Sequence, residues 1–373
     1  MQRPSRAPPS YRPARWLSRP QCIRDDQPAH TDGIHSRAVE GSVTIPPELT
    51  RITKTVTSSN IDWLVNPDDI GFNVNNWQSD PSRIIYHGGK YHMWMLDLDI
   101  TKCAEARQWA NFQFFETEEG RNFRPEKSRI LYLTSEDTHH WTAQSHLPLG
   151  PAGSCWDLVL EQVNVLLHEG TFYMFTEMWT TNIETYGYRP VGIGCLVADD
   201  PAGPWTQPDD VDLLITPEHD GANWDANRVL NPRHVHLDGK WLMYYKAAKD
   251  GPTQNGLAIA DRLTGPYTKH DANPLMVGHG EFCWRYKHGI IMMPNYDFDE
   301  AARWLHWSED GVHFAPIIKN ESVFLFGSLY VPNDPLFGEP QSDQTPTHYW
   351  GFETVKPTDG RDWDVRRIEW TIG

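Results

Sequence analysis

Runs of β-branched and aromatic residues, separated by glycine turns, recur four times along the chain. Each copy begins with a polar or acidic residue, and the first three end in an aromatic-rich run. The copies are DPSRIIYHGGKYHMWM from Asp80, EQVNVLLHEGTFYMF from Glu161, NPRHVHLDGKWLMYY from Asn231 and EFCWRYKHGIIMM from Glu281. Two such runs around a short glycine turn predict a β-hairpin in each copy.

A second phrase follows each hairpin and predicts a further pair of strands. These phrases are SRILYLTSEDTHHWT from Ser128, VGIGCLVADDPAGPWT from Val191, NGLAIADRLTGPYTK from Asn255 and RWLHWSEDGVHFAP from Arg303. A hairpin and a second strand pair form one four-stranded blade, and repetition at intervals of roughly 40–80 residues indicates a β-propeller. Apolar residues do not recur with the 3.6-residue period that a helical repeat protein requires.

The C-terminal part of the chain predicts a fifth blade. HYWGFETV from His348 and WDVRRIEWTI from Trp363 have the composition of strands and flank KPTDGRD, a cluster of turn residues. We expect a closing strand near the C-terminus to complete a blade that begins near Ile61 to Phe72. The predicted fold is all-β, a five-bladed β-propeller over residues 56–373.

Residues 1–55 differ in composition from the rest of the chain. Their first part, MQRPSRAPPSYRPARWLSRP, is rich in Arg and Pro and lacks the apolar segment of a secretory signal. We expect an irregular extension that is partly disordered or serves as an oligomerisation arm. The five cysteines form no CxxC pair, which favours a reducing compartment. A cytoplasmic location is predicted, or a periplasmic or secreted one if the true start lies further in.

Composition and charge exclude several classes of function. The chain has 17 Trp, 14 Tyr and 14 Phe but only 22% charged residues, as expected for an all-β domain with a large core. Its net charge is −17, and its 33 Lys and Arg form no basic stripe. Binding to nucleic acid or to a membrane surface is therefore not expected. The GxSxG, P-loop and GxGxxG motifs are also absent from the sequence.

The repeat brings one set of polar side chains together. In a propeller the innermost strands surround one axis, so the residues that begin these strands meet at the mouth of a central funnel. Asp80, Glu161, Asn231 and Glu281 hold this position, with His279 beside Glu281. Paired carboxylic acids in an aromatic pocket are typical of glycoside hydrolysis. The candidate platforms for sugar stacking are Trp77, Trp179 and Trp284.

At these residues the chain resembles the five-bladed β-propeller glycoside hydrolases of families 43, 32 and 117, which share the DP motif seen in SDPSR at Ser79 to Arg83. The resemblance is closest to family 117, the α-1,3-(3,6-anhydro-L-galactosidases) that release the terminal anhydro sugar from neoagaro-oligosaccharides. It is carried by GLAIADRLTGPYTKHDANPL, GHGEFCWRYKHGI, RWLHWSEDGVHF, YWGFETV and DVRRIEW.

The resemblance implies a role for each matching residue. Asp80 would be the general base of an inverting, exo-acting hydrolase, and His279 the general acid; in a family-43 mechanism Glu281 would be the acid instead. Further side chains would bind sugar hydroxyls. These are Arg83, Glu161, Asn164, Asp225, Asn231, Arg233 and His234.

The chain departs from family 117 at two places. Asn231 stands where the family has an Asp whose charge raises the pKa of the acid. Either Asp225 or Glu161 supplies that charge, or the chain is a divergent relative with another substrate, or the enzyme is weakened. The family's N-terminal motif is matched only poorly by HSRAVEGSV from His35, so a homodimer is left open.

No cofactor is expected to be required. The histidines lack the spacing of a catalytic zinc site, although a structural divalent cation on the propeller axis is left open. Two alternatives to the family-117 interpretation remain: a family-43-like arabinofuranosidase or xylosidase, and a non-catalytic carbohydrate-binding propeller. A protein-interaction propeller is disfavoured because the repeats lack GH and WD punctuation.

Overall fold

The computed structural model describes residues 43–57, 64–65, 77–98, 128–187, 192–218, 223–248, 253–278, 282–294, 304–319, 326–340, 342, 344–355 and 364–373. The strands in these ranges are β1 (Ile52–Val56), β2 (Leu64–Val65), β3 (Trp77–Ser79), β4 (Ile85–His87), β5 (Lys90–Leu98), β6 (Ser128–Ser135), β7 (Trp141–His146), β8 (Val159–His168), β9 (Thr171–Trp179), β10 (Gly192–Ala198), β11 (Arg228–Leu237), β12 (Lys240–Ala248), β13 (Gln254–Ala260), β14 (Thr268–Lys269), β15 (Met276–Val277), β16 (Phe282–Tyr286), β17 (Gly289–Met293), β18 (Trp304–Ser308), β19 (Ala315–Lys319), β20 (Phe326–Tyr330), β21 (His348–Val355) and β22 (Asp364–Ile372). The helical segments are α1 (Ile183–Tyr186) and two 3₁₀ turns, Pro47–Arg51 and Pro335–Phe337.

The strands form five sheets that are the blades of a propeller, as the repeats predict. From the axis outwards, blade one is β3 with β4, then β5, β6, β7 and β2; blade two is β8, β9 and β10; blade three is β11, β12 and β13, with β14 and β15 outermost; blade four is β16 to β19; blade five is β20, β21, β22 and β1. The inner strands of successive blades contact one another, as β8 and β11 do, and this places them around the axis.

The inner hairpins of three blades have the turns that the sequence predicts. The hairpins of blades one to three close through two-residue loops whose second residue is Gly89, Gly170 or Gly239. Both loop residues have positive φ, for example 50° at Asp238 and 75° at Gly239. Such loops match the twist of the flanking strands, and glycine adopts this conformation at little cost.

Strands from the two ends of the described chain, β1 and β22, pair in blade five. Strand β1 pairs along β22 from Ile52 opposite Ile372 to Val56 opposite Ile368. The N-terminal strand therefore completes the blade from its outer side, and it crosses the boundary predicted at residue 55. In the predicted range 61–72 the structure describes only β2, which pairs in parallel with β7 of blade one. The inner strand of blade five, β20, has no counterpart in the repeats found from sequence.

The inner strands of blades one to three each break near their beginning. The break is marked by a non-glycine residue with positive φ: 51° at Asp80, 52° at Gln162 and 55° at Asn231. The ladders shift register at the same places, between Glu161 and Asn164 and between Leu230 and Arg233. The residue equivalent to Asp80 in blade two is therefore Gln162. The sequence alignment placed Glu161 there, one residue too early. The reason is that blade one has one more residue between its break and its turn than blades two and three.

A 3₁₀ turn, Pro335–Phe337, lies against the C-terminal ends of inner strands and contacts β4 and β8. Asp334 caps it by accepting a hydrogen bond from the Leu336 amide, and Gly338 ends it with a φ of 82°. A Cβ atom at Gly338 would overlap the carbonyl oxygen of Tyr86, so only glycine fits here. The turn lies at the end of the inner strands opposite to Asp80.

Four hydrophobic clusters fill the spaces between blades. The largest contains Trp141, Trp307, Tyr349 and Phe352, all fully buried. Cys155, Cys195 and Cys283 are buried free thiols. No helix within the described residues is long and apolar enough to cross a membrane.

Candidate active site

Asp80 lies at the break between β3 and β4, with only 5% of its surface exposed. The segment that follows is held against β5, because the Ser82 amide donates to the Trp94 carbonyl at 2.7 Å. The Trp94 amide donates in turn to Ser82 Oγ at 3.0 Å. These hydrogen bonds fix the backbone two residues after Asp80, whose own φ is 51°.

Arg83 extends from blade one to two other blades. Its Nη2 donates to the His234 carbonyl at 2.8 Å and lies 3.4 Å from the Cys283 carbonyl. The guanidinium also lies 4.4 Å from the ring centre of Phe337. Burial lowers the pKa of Arg83 to about 10, so it remains a cation at neutral pH. Arg83, predicted to bind sugar, thus also joins the blades beneath Asp80.

Asn164 and His234 form a contact between blades two and three. The Asn164 amide nitrogen lies 3.3 Å from His234 Nδ1, and the His234 ring packs 3.8 Å from that of Phe175. Burial, with Arg83 and Arg233 close by, lowers the pKa of His234 well below its usual value. A neutral imidazole that accepts at Nδ1 carries its hydrogen on Nε2. That Nε2 has no hydrogen-bond partner within the described part of the chain, nor has Asn164 Oδ1.

Glu161 belongs to a buried trio with Arg228 and Glu177. Arg228 Nη2 donates to Glu161 Oε2 at 2.8 Å, and its Nε donates to Glu177 Oε1. Glu161 and Glu177 are direct cross-strand partners, so the guanidinium offsets a repulsion that would otherwise destabilise the pair. The Arg228 guanidinium is thus shared by two carboxyl groups. Trp179 lies 5.3 Å from the guanidinium.

Asn231 is buried at the break of blade three. Of the two acids expected to replace its missing charge, Asp225 accepts from Lys269 Nζ at 2.6 Å. Lys269 also donates to the Thr216 carbonyl, on the outer side of the blade. Lys269 Nζ also lies 3.3 Å from Glu218 Oε1, so here too two carboxyl groups share one cation. Asp225 and Glu161 are therefore both candidates for the charge that Asn231 lacks.

The remaining predicted residues have different surroundings. Arg233 is buried opposite Tyr244, and its Nη1 donates to the Pro232 carbonyl at 3.1 Å. Trp284 does not form a wall of the funnel, since its side chain packs in the core between blades four and five, 5.5 Å from Tyr349. Trp77 is the first residue of β3, three positions before Asp80.

Both candidates for the general acid, His279 and Glu281, lie outside the described residues. Gly278 precedes them at the end of β15 and is fixed by a hydrogen bond from its amide to the Thr253 carbonyl. Strand β16 begins directly after them at Phe282, on the inner side of blade four. Among the residues that the structure describes, no three His, Cys, Asp or Glu side chains are grouped as metal ligands.

The sequence interpretation missed a set of buried charges in the second strands of four blades. They are Asp97 on β5, Glu177 on β9, Lys246 on β12 and Glu353 on β21. Each lies near the end of its strand, at the face where the inner strands begin. Glu353 binds Lys54 and Arg366, just as Glu177 binds Arg228. A single charged residue within an aromatic run, as in FYMFTEMW and WLMYYKAA, is a signal that could have revealed them.

Comparison with known proteins supports the fold. A family 117 glycoside hydrolase from the marine bacterium Zobellia galactanivorans superposes with a TM-score of 0.65 at 20% identity, covering 87% of this chain and 92% of that one. A protein described as a glycoside hydrolase gives 0.55 at 11% identity, covering 87% and 96%. An α-L-arabinofuranosidase from Podospora anserina, in complex with cellotriose, gives 0.52 at 12% identity, covering 83% and 96%. No protein-family model and no curated protein matches the chain. The chain thus shares the propeller fold of these enzymes.

Proposed function

We propose that this chain is a glycoside hydrolase that removes a terminal sugar from an oligosaccharide with inversion. The observation that carries the proposal is the buried carboxyl group of Asp80 at the break of the blade-one inner strand. It stands at the face where the inner strands begin, in a fold shared with glycoside hydrolases. A carboxylate there is suited to activate a water molecule in the funnel.

In the proposed mechanism Asp80 takes a proton from water, which attacks the anomeric carbon. His279 or Glu281, at the entrance to blade four, gives a proton to the departing oxygen. A nearby carboxylate favours the protonated form of this acid, and Glu161 or Asp225 would supply that charge in place of the Asp missing at Asn231. Asn231 therefore need not abolish activity.

Closure of the channel supports exo-action. The 3₁₀ turn Pro335–Phe337 contacts the inner strands β4 and β8, and the Arg83 guanidinium packs over Phe337 and donates to the His234 carbonyl of blade three. We infer that these groups close the far end of the funnel. A funnel that is closed at one end admits the end of a sugar chain, whereas an endo-acting enzyme needs a cleft open at both ends. The buried donors at the floor would select among sugars, because a missing hydroxyl leaves them unpaired.

The substrate we propose is a neoagaro-oligosaccharide, from which terminal 3,6-anhydro-L-galactose is released. The sequence resemblance to family 117 after Gly256 and the similar structure of the Zobellia enzyme both support it. The similarity to the Podospora α-L-arabinofuranosidase favours an arabinofuranosidase or xylosidase as the second candidate. A propeller that binds sugar without cleaving it is the third.

Product analysis tests the proposal. The purified protein is incubated with neoagarobiose and with arabino-, xylo-, fructo- and galacto-oligosaccharides, and the products are separated by thin-layer chromatography. Release of anhydrogalactose, with the inverted anomer seen first by NMR, is the expected result. Release of arabinose or xylose would instead establish the second candidate. Retention on one glycan without any product would indicate the binding protein.

A further inference from the structure

A cavity between blades one and two plays no part in the mechanism above. Its volume is about 330 Å³, within the range of small-molecule sites. Arg129, His146, Leu147, Pro148 and Leu149 line it from blade one, and Leu160 from blade two. It therefore occupies the junction of two blades rather than the propeller axis.

The cavity lies on the same face as Asp80. Gln78, two residues before Asp80, pairs with Asp97, and Asp97 pairs with Arg129 on the next strand. His146 lies on β7, three strands out from β3. With neighbouring strands about 4.8 Å apart, His146 is on the order of 14 Å from the inner strand. That distance is too great for contact with the bond broken at Asp80, but a longer oligosaccharide could span it.

A buried contact between a histidine and an aspartate fixes the polar side of the cavity. His146 Nε2 lies 2.9 Å from Asp97 Oδ2, and both side chains are more than nine-tenths buried. Glu177 and Glu353, the equivalent buried acids of other blades, bind Arg or Lys side chains. In blade one, Asp97 contacts His146, a histidine that lines the cavity. Because Nε2 faces the carboxylate, Nδ1 is the ring nitrogen that can face a ligand.

The other walls suit a sugar ring. Leu147, Pro148 and Leu149 provide an apolar surface for the CH face of a pyranose, and the exposed Arg129 provides several donors for its hydroxyl groups. A concave site with an apolar wall and a few fixed polar groups is the usual form of a small-ligand site.

We propose that this cavity is a distal subsite that binds a sugar unit on the leaving-group side of the same oligosaccharide. The inference rests on the proposed function, because it takes the chain end to be held at Asp80. The leaving portion would pass over Leu160, which adjoins Glu161 at the rim of the funnel. The subsite would make the protein prefer longer substrates to disaccharides.

Binding to chains of two lengths tests this subsite. Neoagarobiose and neoagarohexaose are titrated calorimetrically into the Asp80→Asn protein, so that neither is consumed. The hexasaccharide is expected to bind about ten-fold more tightly, and His146→Ala or Arg129→Ala in the same background should remove most of this difference. Leu149→Trp, which fills the cavity and keeps the His146–Asp97 pair, should do the same. His313→Ala, which breaks an exposed His–Asp contact on blade four, far from the cavity in the sequence, is the control for loss of such a contact alone.

The outcomes test the distal subsite and the proposed hydrolase function separately. If the parent protein hydrolyses oligosaccharides but the cavity variants bind hexasaccharide as tightly as their background, the subsite is overturned and the function stands. If nothing is hydrolysed but the cavity variants still weaken hexasaccharide binding, the subsite stands and the hydrolase proposal falls. Absence of binding to either length overturns the subsite as well. Melting temperatures identify any variant that fails to fold.

Discussion

The guanidinium of Arg83 on blade one donates a hydrogen bond of 2.8 Å to the main-chain carbonyl of His234 on blade three. The same side chain reaches the Cys283 carbonyl of blade four and covers the ring of Phe337, which follows the inner strand of blade five. One residue, three positions after Asp80, thus joins four blades at the axis. The floor of the proposed site is tied to the closure of the propeller.

We expect Arg83→Met to destabilise the protein by about 2–4 kcal/mol, because it removes charge-assisted hydrogen bonds and leaves buried carbonyls unpaired. Chemical denaturation measures the change in the free energy of unfolding. Arg285→Met is the matched control, since Arg285 is also on an inner strand and donates to a main-chain carbonyl but is exposed. Equal stability of the two variants would contradict the role of Arg83.

Gly338→Ala is expected to disrupt the turn that closes the channel. A Cβ atom there would meet the Tyr86 carbonyl, and the φ of 82° adds the cost of a left-handed backbone, about 1–2 kcal/mol. Gly239→Ala is the control, because its φ is 75° but no atom lies within 4 Å of its Cβ position. The melting temperature should fall at least twice as far in Gly338→Ala. A similar fall in both would show that the contact with Tyr86 carries no stability.

Local patterns predicted most of the fold. The loops ending in Gly89, Gly170 and Gly239 marked the hairpins, because their turn type requires residues that tolerate positive φ. Strands β21 and β22 were likewise visible as aromatic and β-branched runs. Strand β1 was not, since ITKTV is mostly exposed and is defined only by pairing with β22, more than 300 residues away. Long-range partners of this kind leave no local signature.

Placing an Asp at position 231 of blade three should change the pH dependence of kcat/KM. In the proposed mechanism, Asn231→Asp adds a carboxylate near the general acid, and a nearby negative charge favours the protonated form of that acid. Its pKa rises, so the alkaline limb of the kcat/KM profile should move to higher pH by about 1 unit. Asn333→Asp, which also has a positive φ of 61°, is the control at the other face. A shift to lower pH would contradict the electrostatic account of Asn231.

The site was only partly predictable. Asp80 and Asn231 were found because the repeat places them at equivalent breaks, and a Pro follows each. Glu177 was missed because its partner Arg228 is 51 residues away, and the pair forms only when blades two and three pack together. Trp284 was assigned to the funnel by its position next to Glu281, yet strand alternation directs it into the core.

His306 should make the fold sensitive to mild acid. Burial lowers its pKa to about 4 from an ordinary 6.5, with its Nδ1 2.8 Å from the Trp304 carbonyl. Between these values the unfolded chain binds a proton that the folded chain does not, so stability falls as pH decreases from 6.5 towards 4. The contribution lost is on the order of 3 kcal/mol. Urea unfolding across this range should show a shallower decline in His306→Gln than in the parent. An unchanged slope would mean that other groups dominate.

The kinetics of Asp80→Asn test the central claim most directly. Asn has nearly the same shape as Asp and also tolerates the φ of 51° at this position. Asp238→Asn is the matched control, because Asp238 has a φ of 50° and lies at an exposed turn. On the oligosaccharide that the parent cleaves, we predict a loss in kcat of at least about 100-fold for Asp80→Asn, with an unchanged melting temperature. Asp238→Asn should retain full activity. If Asp80→Asn keeps more than about a tenth of the parent kcat, Asp80 is not the general base and the proposed mechanism is contradicted.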